Sequence, residues 1–143
     1  MRRVLPPSKE IRAAMSNRPR PLSPHLQVYR WQITMVMSIL FRATGIVLSV
    51  GAFVIAWWLL AVAAGGDAYA DASALLSSPI GMLALFVFSL AMVYHLLNGF
   101  RHLLWDAGWG FDIPEVYKSG WTVAVLTVVL TALIWVVALG AGA

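Results

Sequence analysis

The sequence contains no cysteine. Disulfides, cysteine-ligated iron–sulfur clusters and the C-x-x-C-H attachment of a c-type haem are therefore excluded within this chain. Charge is scarce as well. Only 11% of the 143 residues are Asp, Glu, Lys or Arg, and six of them are acidic. Seven of the ten basic residues, Arg2, Arg3, Lys9, Arg12, Arg18, Arg20 and Arg30, precede the first long apolar run, against the single acid Glu10. Basic residues crowded at one end of a nearly uncharged chain report membrane orientation, and nucleic-acid binding is not their use. What fills the chain is apolar: 61% of residues are hydrophobic and the mean hydropathy is +0.81, far outside the soluble range. The expected fold class is all-α, an integral membrane protein with three transmembrane helices.

Residues 1–32 read as a polar arm at the cytoplasmic interface, broken by Pro6, Pro7, Pro19, Pro21 and Pro24. An Arg-rich, acid-poor start also describes an organellar transit peptide, but these prolines interrupt the amphipathic helix such a peptide needs. The arm is therefore read as retained, with Tyr29 and Trp31 at the membrane interface. Residues 33–143 form the transmembrane domain, with helices expected over about 33–64, 81–105 and 119–140, each near or above the ~20 apolar residues that cross the hydrocarbon. Gly65 to Pro79 reads as a polar loop whose only charges, Asp67 and Asp71, place it on the far side. Asp106 to Lys118 reads as a second loop, in which Pro114 stops any helix arriving from above. The N-terminus is then cytoplasmic and the C-terminus periplasmic, in a bacterial inner membrane. Nothing chemical is visible in the third span, whose expected role is packing or lipid contact.

Two residues break the apolar pattern. His95 lies deep within the second span, and Phe88, Ala91, Met92, Asn98, Gly99 and His102 fall within about 60° of it on an α-helix. One helix face thus carries two imidazoles with a glycine between them. That arrangement suits a flat ligand lying on the helix, and it equally suits a histidine that hydrogen-bonds to a neighbouring helix. Arg42 stands about 13 Å into the first span at 1.5 Å per residue, where a central arginine costs about 2.5–3.5 kcal/mol. It either snorkels to the headgroups or points into the bundle at an anionic or carbonyl-bearing ligand. Ser38, Gly45 and Ser49 share its face.

Taken together, Ser38, Arg42, His95, Arg101 and His102 fall in one leaflet. Haem b fits this set through an imidazole for the axial bond, a glycine to admit the macrocycle and arginines for the propionates. A quinone fits Ser38 and Arg42, whose donors can hold a carbonyl oxygen and stabilise the charge that appears on reduction. Only His95 is deep enough for an axial ligand, so a six-coordinate haem takes its second ligand from another chain.

Three stretches, Arg20-Pro-Leu-Ser-Pro-His-Leu-Gln-Val-Tyr29, Met37-Ser-Ile-Leu-Phe-Arg-Ala-Thr-Gly45 and Tyr94-His-Leu-Leu-Asn-Gly-Phe-Arg-His-Leu-Leu-Trp-Asp106, resemble the cytochrome b membrane-anchor subunit of succinate dehydrogenase, respiratory complex II. The resemblance covers about Arg20 to Leu139. It implies that His95 is an axial ligand of haem b, with the other axial histidine supplied by a second anchor subunit whose helices complete the bundle. It also implies that Ser38 and Arg42 belong to a ubiquinone site beside the iron–sulfur subunit, with Arg42 near a haem propionate. FAD and iron–sulfur clusters would reside only in the flavoprotein and iron–sulfur partners, and this chain would be a subunit of the enzyme without its catalytic head. Many members carry a histidine just before the arginine, where this chain has Phe41. That propionate contact is absent here or falls to another group, such as Arg101 or a partner residue. His102 and Asp106 fit the family pattern with a structural or propionate-side role, and His25 is expected at the surface near the catalytic subunits. The rival readings are the anchor of a quinol:fumarate reductase and a haem-free membrane scaffold.

Overall fold

A computed structural model describes residues 8–9 and 29–142. The chain divides into two units, Met1–Arg30 and Trp31–Ala143. The first lies almost wholly outside the described residues, and with it the expectations for the N-terminal arm and His25. The second contains four helices: α1 (Ile33–Ala64), α2 (Gly66–Ser77), α3 (Pro79–Asp106) and α4 (Ile113–Gly140). Three of them, α1, α3 and α4, are long and apolar enough to cross a membrane.

Gly65 and Gly66 take φ of 65° and 54°, a region open to glycine at no steric cost. The chain therefore turns from α1 into α2 with no intervening loop. Here the structure departs from the polar loop expected over Gly65 to Pro79, because residues 66–77 are helical. Polarity outweighed propensity in that expectation. Four alanines and two leucines give the segment strong helix propensity, Asp67 in the first turn favours the helix dipole, and Ala72 is fully buried. Twelve residues are too few to cross the ~30 Å hydrocarbon.

The corner into α3 is tight. Ser78 caps the helix by accepting the Gly81 N–H at 3.1 Å, and Pro79 occupies the first turn, where its missing N–H goes unnoticed. A Cβ on Gly81 would collide with the Leu75 and Leu76 carbonyls. The same logic shortens the loop expected over Asp106 to Lys118. The second span ends at Asp106, ahead of Pro114, but Pro114 itself stands in the first turn of α4, which begins at Ile113 and not near 119. Gly108 and Gly110, with φ of 86° and 79°, shape the short connection, and the Trp105 indole donates to the Gly110 carbonyl at 3.1 Å.

The helices meet along small residues and a few polar bridges. Met37, Tyr94 and Val123 form a buried cluster, one from each spanning helix, with Ile33, Phe41 and Leu97 against it. Tyr94 donates its hydroxyl to the Met37 carbonyl at 2.8 Å. Gly120 lets α4 come within 3.0 Å of the Met37 sulfur, measured from where its Cβ would be, and the Phe88 ring fills the space a Cβ on Gly51 would need. Farther along, Trp135 donates to Ser89 Oγ at 2.9 Å. In the most apolar stretch of each span only 11–17% of residues are buried. Lipid and other helices are equally apolar neighbours for such surfaces, so interhelical packing rests on these close contacts and hydrogen bonds.

Candidate functional site

The inward stripe of α1 is Ile33, Met37, Phe41, Thr44, Gly45, Leu48 and Gly51, all buried or half-buried and spaced at the i, i+4, i+7, i+8 interval of a helix face. Ser38 and Arg42 lie off this stripe and are exposed. They stand one turn apart, and neither has a hydrogen-bond or ionic partner among the described residues. The pair therefore presents a hydroxyl and a guanidinium outward from α1 at membrane depth.

His95 is half-buried on α3 and faces the stripe. Its ring stacks on Phe41 at 4.2 Å with an interplanar angle of 10°, and its Nδ1 lies 3.1 Å from Thr44 Oγ1. A Cβ on Gly45 would sit 3.4 Å from its Cε1, so α1 approaches the imidazole edge closely. No described residue hydrogen-bonds to Nε2. Beside the ring lies an open bay of about 340 Å³ lined by His95, Leu96, Gly99, Phe100 and Leu103. A Cβ on Gly99 would meet nothing within 4 Å; the missing side chain keeps the bay's floor flat.

His102, two turns on, touches the other part of Phe41 at 4.9 Å and meets Trp105 edge-on at 5.2 Å. Phe41 thus joins the two imidazoles that share the helix face. Position 41 is the place where the resemblance expects a histidine. Here an apolar ring takes it and packs against His95 instead of offering a hydrogen bond.

Arg101 has a different setting. It is 5% exposed, and its Nε donates to Ser119 Oγ at 2.9 Å. One terminal nitrogen donates to the Val116 carbonyl at 3.0 Å, and the other lies 3.4 Å from Asn98 Oδ1 and 3.6 Å from the Met37 sulfur. The guanidinium also lies over the Trp105 ring at 4.1 Å from its centroid, a favourable cation–π position. Arg101 therefore ties α3 to the first turn of α4, with its charge spread over neutral acceptors. Asn98 is fully buried, and its Nδ2 has no partner. Arg101→Met should lower the stability of the solubilised protein by about 2–4 kcal/mol, since at least two buried acceptors lose their donor. Thermal unfolding followed by circular dichroism would read this as a lower midpoint; an unchanged midpoint would show that the acceptors find water instead.

The Thr44 contact and the ties of Arg101 to Val116 and Ser119 are absent from the sequence reading. The inward spacing of Met37, Phe41 and Thr44 is the signal that could have found the first. The second needed the start of α4 at Ile113, which the reading of Pro114 had hidden.

The whole arrangement is that of a multi-pass, all-helical membrane protein with its polar groups gathered between and beside the first two spans. Residues 16–134 match the succinate dehydrogenase/fumarate reductase transmembrane subunit family, and the chain belongs to that family. It is 41% identical over 117 residues to the succinate dehydrogenase cytochrome b556 subunit of Rickettsia felis, covering 82% of this chain and 91% of the relative. It is 42% identical over 118 residues to the subunit of the same name from Paracoccus denitrificans, with the same shares. The mitochondrial succinate dehydrogenase cytochrome b560 subunit of Homo sapiens is 41% identical over 111 residues, 76% of this chain and 66% of the relative. These likenesses support an anchor role within a succinate dehydrogenase complex.

Proposed function

We propose that this chain is the membrane-anchor cytochrome b subunit of a succinate:ubiquinone oxidoreductase, holding haem b jointly with a second anchor subunit and forming part of the ubiquinone-reduction site. The observation that carries the haem assignment is His95, whose Nε2 is unengaged beside a bay floored by Gly99. A single imidazole is a poor site for a bare metal ion, and no cluster of three or more potential ligands exists among the described residues. It is a sufficient axial ligand for iron already held by a macrocycle, and the flat floor at Gly99 fits that group. Haem, when bound, supplies a one-electron redox centre within the bundle.

The chain's own residues divide the work. His95 offers a neutral nitrogen and fixes the depth of the site. Leu96, Phe100 and Leu103 exclude water from its edge. Ser38 and Arg42 face outward from α1 and donate hydrogen bonds to a carbonyl oxygen of ubiquinone, where negative charge arrives with the electrons. A guanidinium aimed at that oxygen stabilises the developing charge. Arg101 is held within the bundle, so propionate contacts on this side fall to Arg42, to His102 or to the partner anchor. Succinate oxidation takes place in the flavoprotein and iron–sulfur partners, which hold FAD and the clusters. The arm is cytoplasmic and the C-terminus periplasmic in a bacterial inner membrane, where the seven basic residues of the arm dominate orientation.

The names of the relatives above favour the succinate enzyme over a quinol:fumarate reductase. The test is the dithionite-reduced minus oxidised spectrum of the purified membrane complex. A low-spin b-type spectrum is expected. A fully assembled complex without haem would overturn the cytochrome assignment and leave a haem-free anchor.

A further inference from the structure

We propose that Thr44 is the positioning residue for the proposed axial histidine: its hydroxyl oxygen accepts the Nδ1 proton of His95 and so holds the imidazole in the tautomer that leaves Nε2 with its lone pair. The inference rests on the haem reading above and deepens it.

A threonine hydroxyl has one proton and two lone pairs. Thr44 Oγ1 lies 2.8 Å from the Leu40 carbonyl and 3.0 Å from the Phe41 carbonyl, and both carbonyls can only accept. The single hydroxyl proton is directed to them. With that proton on either carbonyl, what Oγ1 turns towards His95 Nδ1, at 3.1 Å, is a lone pair, which pairs with the tautomer that carries its hydrogen on Nδ1. The opposite tautomer requires the hydroxyl to turn its proton away from both carbonyls, and it leaves Nε2 protonated and unable to bind iron.

The same turn of α1 fixes the ring in space. Phe41 lies nearly parallel to it, and the Cε1 edge lies at van der Waals distance, 3.4 Å, from where a Cβ on Gly45 would be. Tautomer and orientation are both set from within this chain. An acceptor behind an axial imidazole also raises the basicity of the ligating nitrogen, which favours the oxidised iron over the reduced.

The test is a redox titration of the haem in the assembled complex, comparing wild type with Thr44→Val, which keeps the β-branched shape and removes the acceptor, and with Thr44→Ser, which restores it. Thr44→Ala serves as the second variant where valine disturbs assembly. Thr44→Val should shift the reduced-to-oxidised ratio at a given potential about tenfold towards reduced, an upward shift of 59 mV for a one-electron couple, and Thr44→Ser should lie near wild type. Equal potentials in wild type, valine and alanine variants would overturn the proposal. Absence of haem from the wild-type complex would defeat the haem reading instead. The tautomer would then be read directly by ¹⁵N NMR of the histidine-labelled complex, with His95 assigned by its loss in His95→Ala. A protonated Nδ1 would uphold the role of Thr44, and a protonated Nε2 would overturn it.

Discussion

His95→Ala should abolish the low-spin b-type spectrum of the assembled complex, and His102→Ala should preserve it. The two histidines share a helix face, and both touch Phe41, so proximity alone does not separate them. Their surroundings do. His95 has an oxygen behind Nδ1, no partner at Nε2 and an open bay at its side. His102 is pinned between Phe41 and the edge of Trp105, nearer the end of the span. Under the proposed function, loss of His95 would leave the iron with at most the partner anchor's ligand, so the haem would dissociate or become high-spin. The measurement is the reduced-minus-oxidised spectrum, normalised to the amount of assembled complex. A low-spin spectrum in His95→Ala equal to wild type would remove this residue from the haem site.

Arg42→Ala should slow quinone reduction on the order of 100-fold, the scale on which removal of one preorganised charge-stabilising donor acts. Succinate oxidation with a soluble artificial acceptor should stay near wild type, because the proposed function places that reaction in the partner subunits. The structural reason to expect a clean separation is that Arg42 is exposed and supports nothing within the described bundle. Removing it leaves no buried group without a partner, so assembly has no reason to fail. Measuring both activities on one preparation decides the matter. Equal loss of the two would point to defective assembly and count against a quinone role for Arg42.

The contrast between Arg42 and Arg101 shows how far the sequence could be read. Both arginines enter the sequence reading as site residues, Arg42 for its charge at membrane depth and Arg101 as a propionate partner near the end of its span. Only their helical phase and neighbours distinguish them. Arg42 stands off the inward stripe of α1, exposed and without a partner among the described residues. Arg101 faces α4 and is spent on Val116, Ser119 and Asn98. The three spans were legible because their apolar runs are long and their composition unambiguous. The α2 helix was not, because its two aspartates and its flanking glycines look like a loop, and its alanines and leucines weigh enough only once Ala72 is seen to be buried. The start of α4 was hidden for a related reason: a proline that bars one helix is equally suited to begin another. His95 stood out by its chemistry, but the hydroxyl that addresses its far nitrogen lay in another span, and helix pairing is not written in either segment alone.

The length of α1 carries a consequence for the lipid. Its 32 residues extend about 48 Å, against a hydrocarbon core of about 30 Å and about 40–45 Å with the headgroups included. An upright α1 overshoots the bilayer, while a tilt of roughly 20°, usual for transmembrane helices, brings it within the headgroup span. Hydrophobic mismatch is thus built into the segment that bears Arg42, Thr44 and Phe41. A thinner bilayer favours a steeper tilt, which carries Arg42 to a different depth. Bilayer thickness is in this way a variable of the site, and acyl-chain length acts on it without touching a residue.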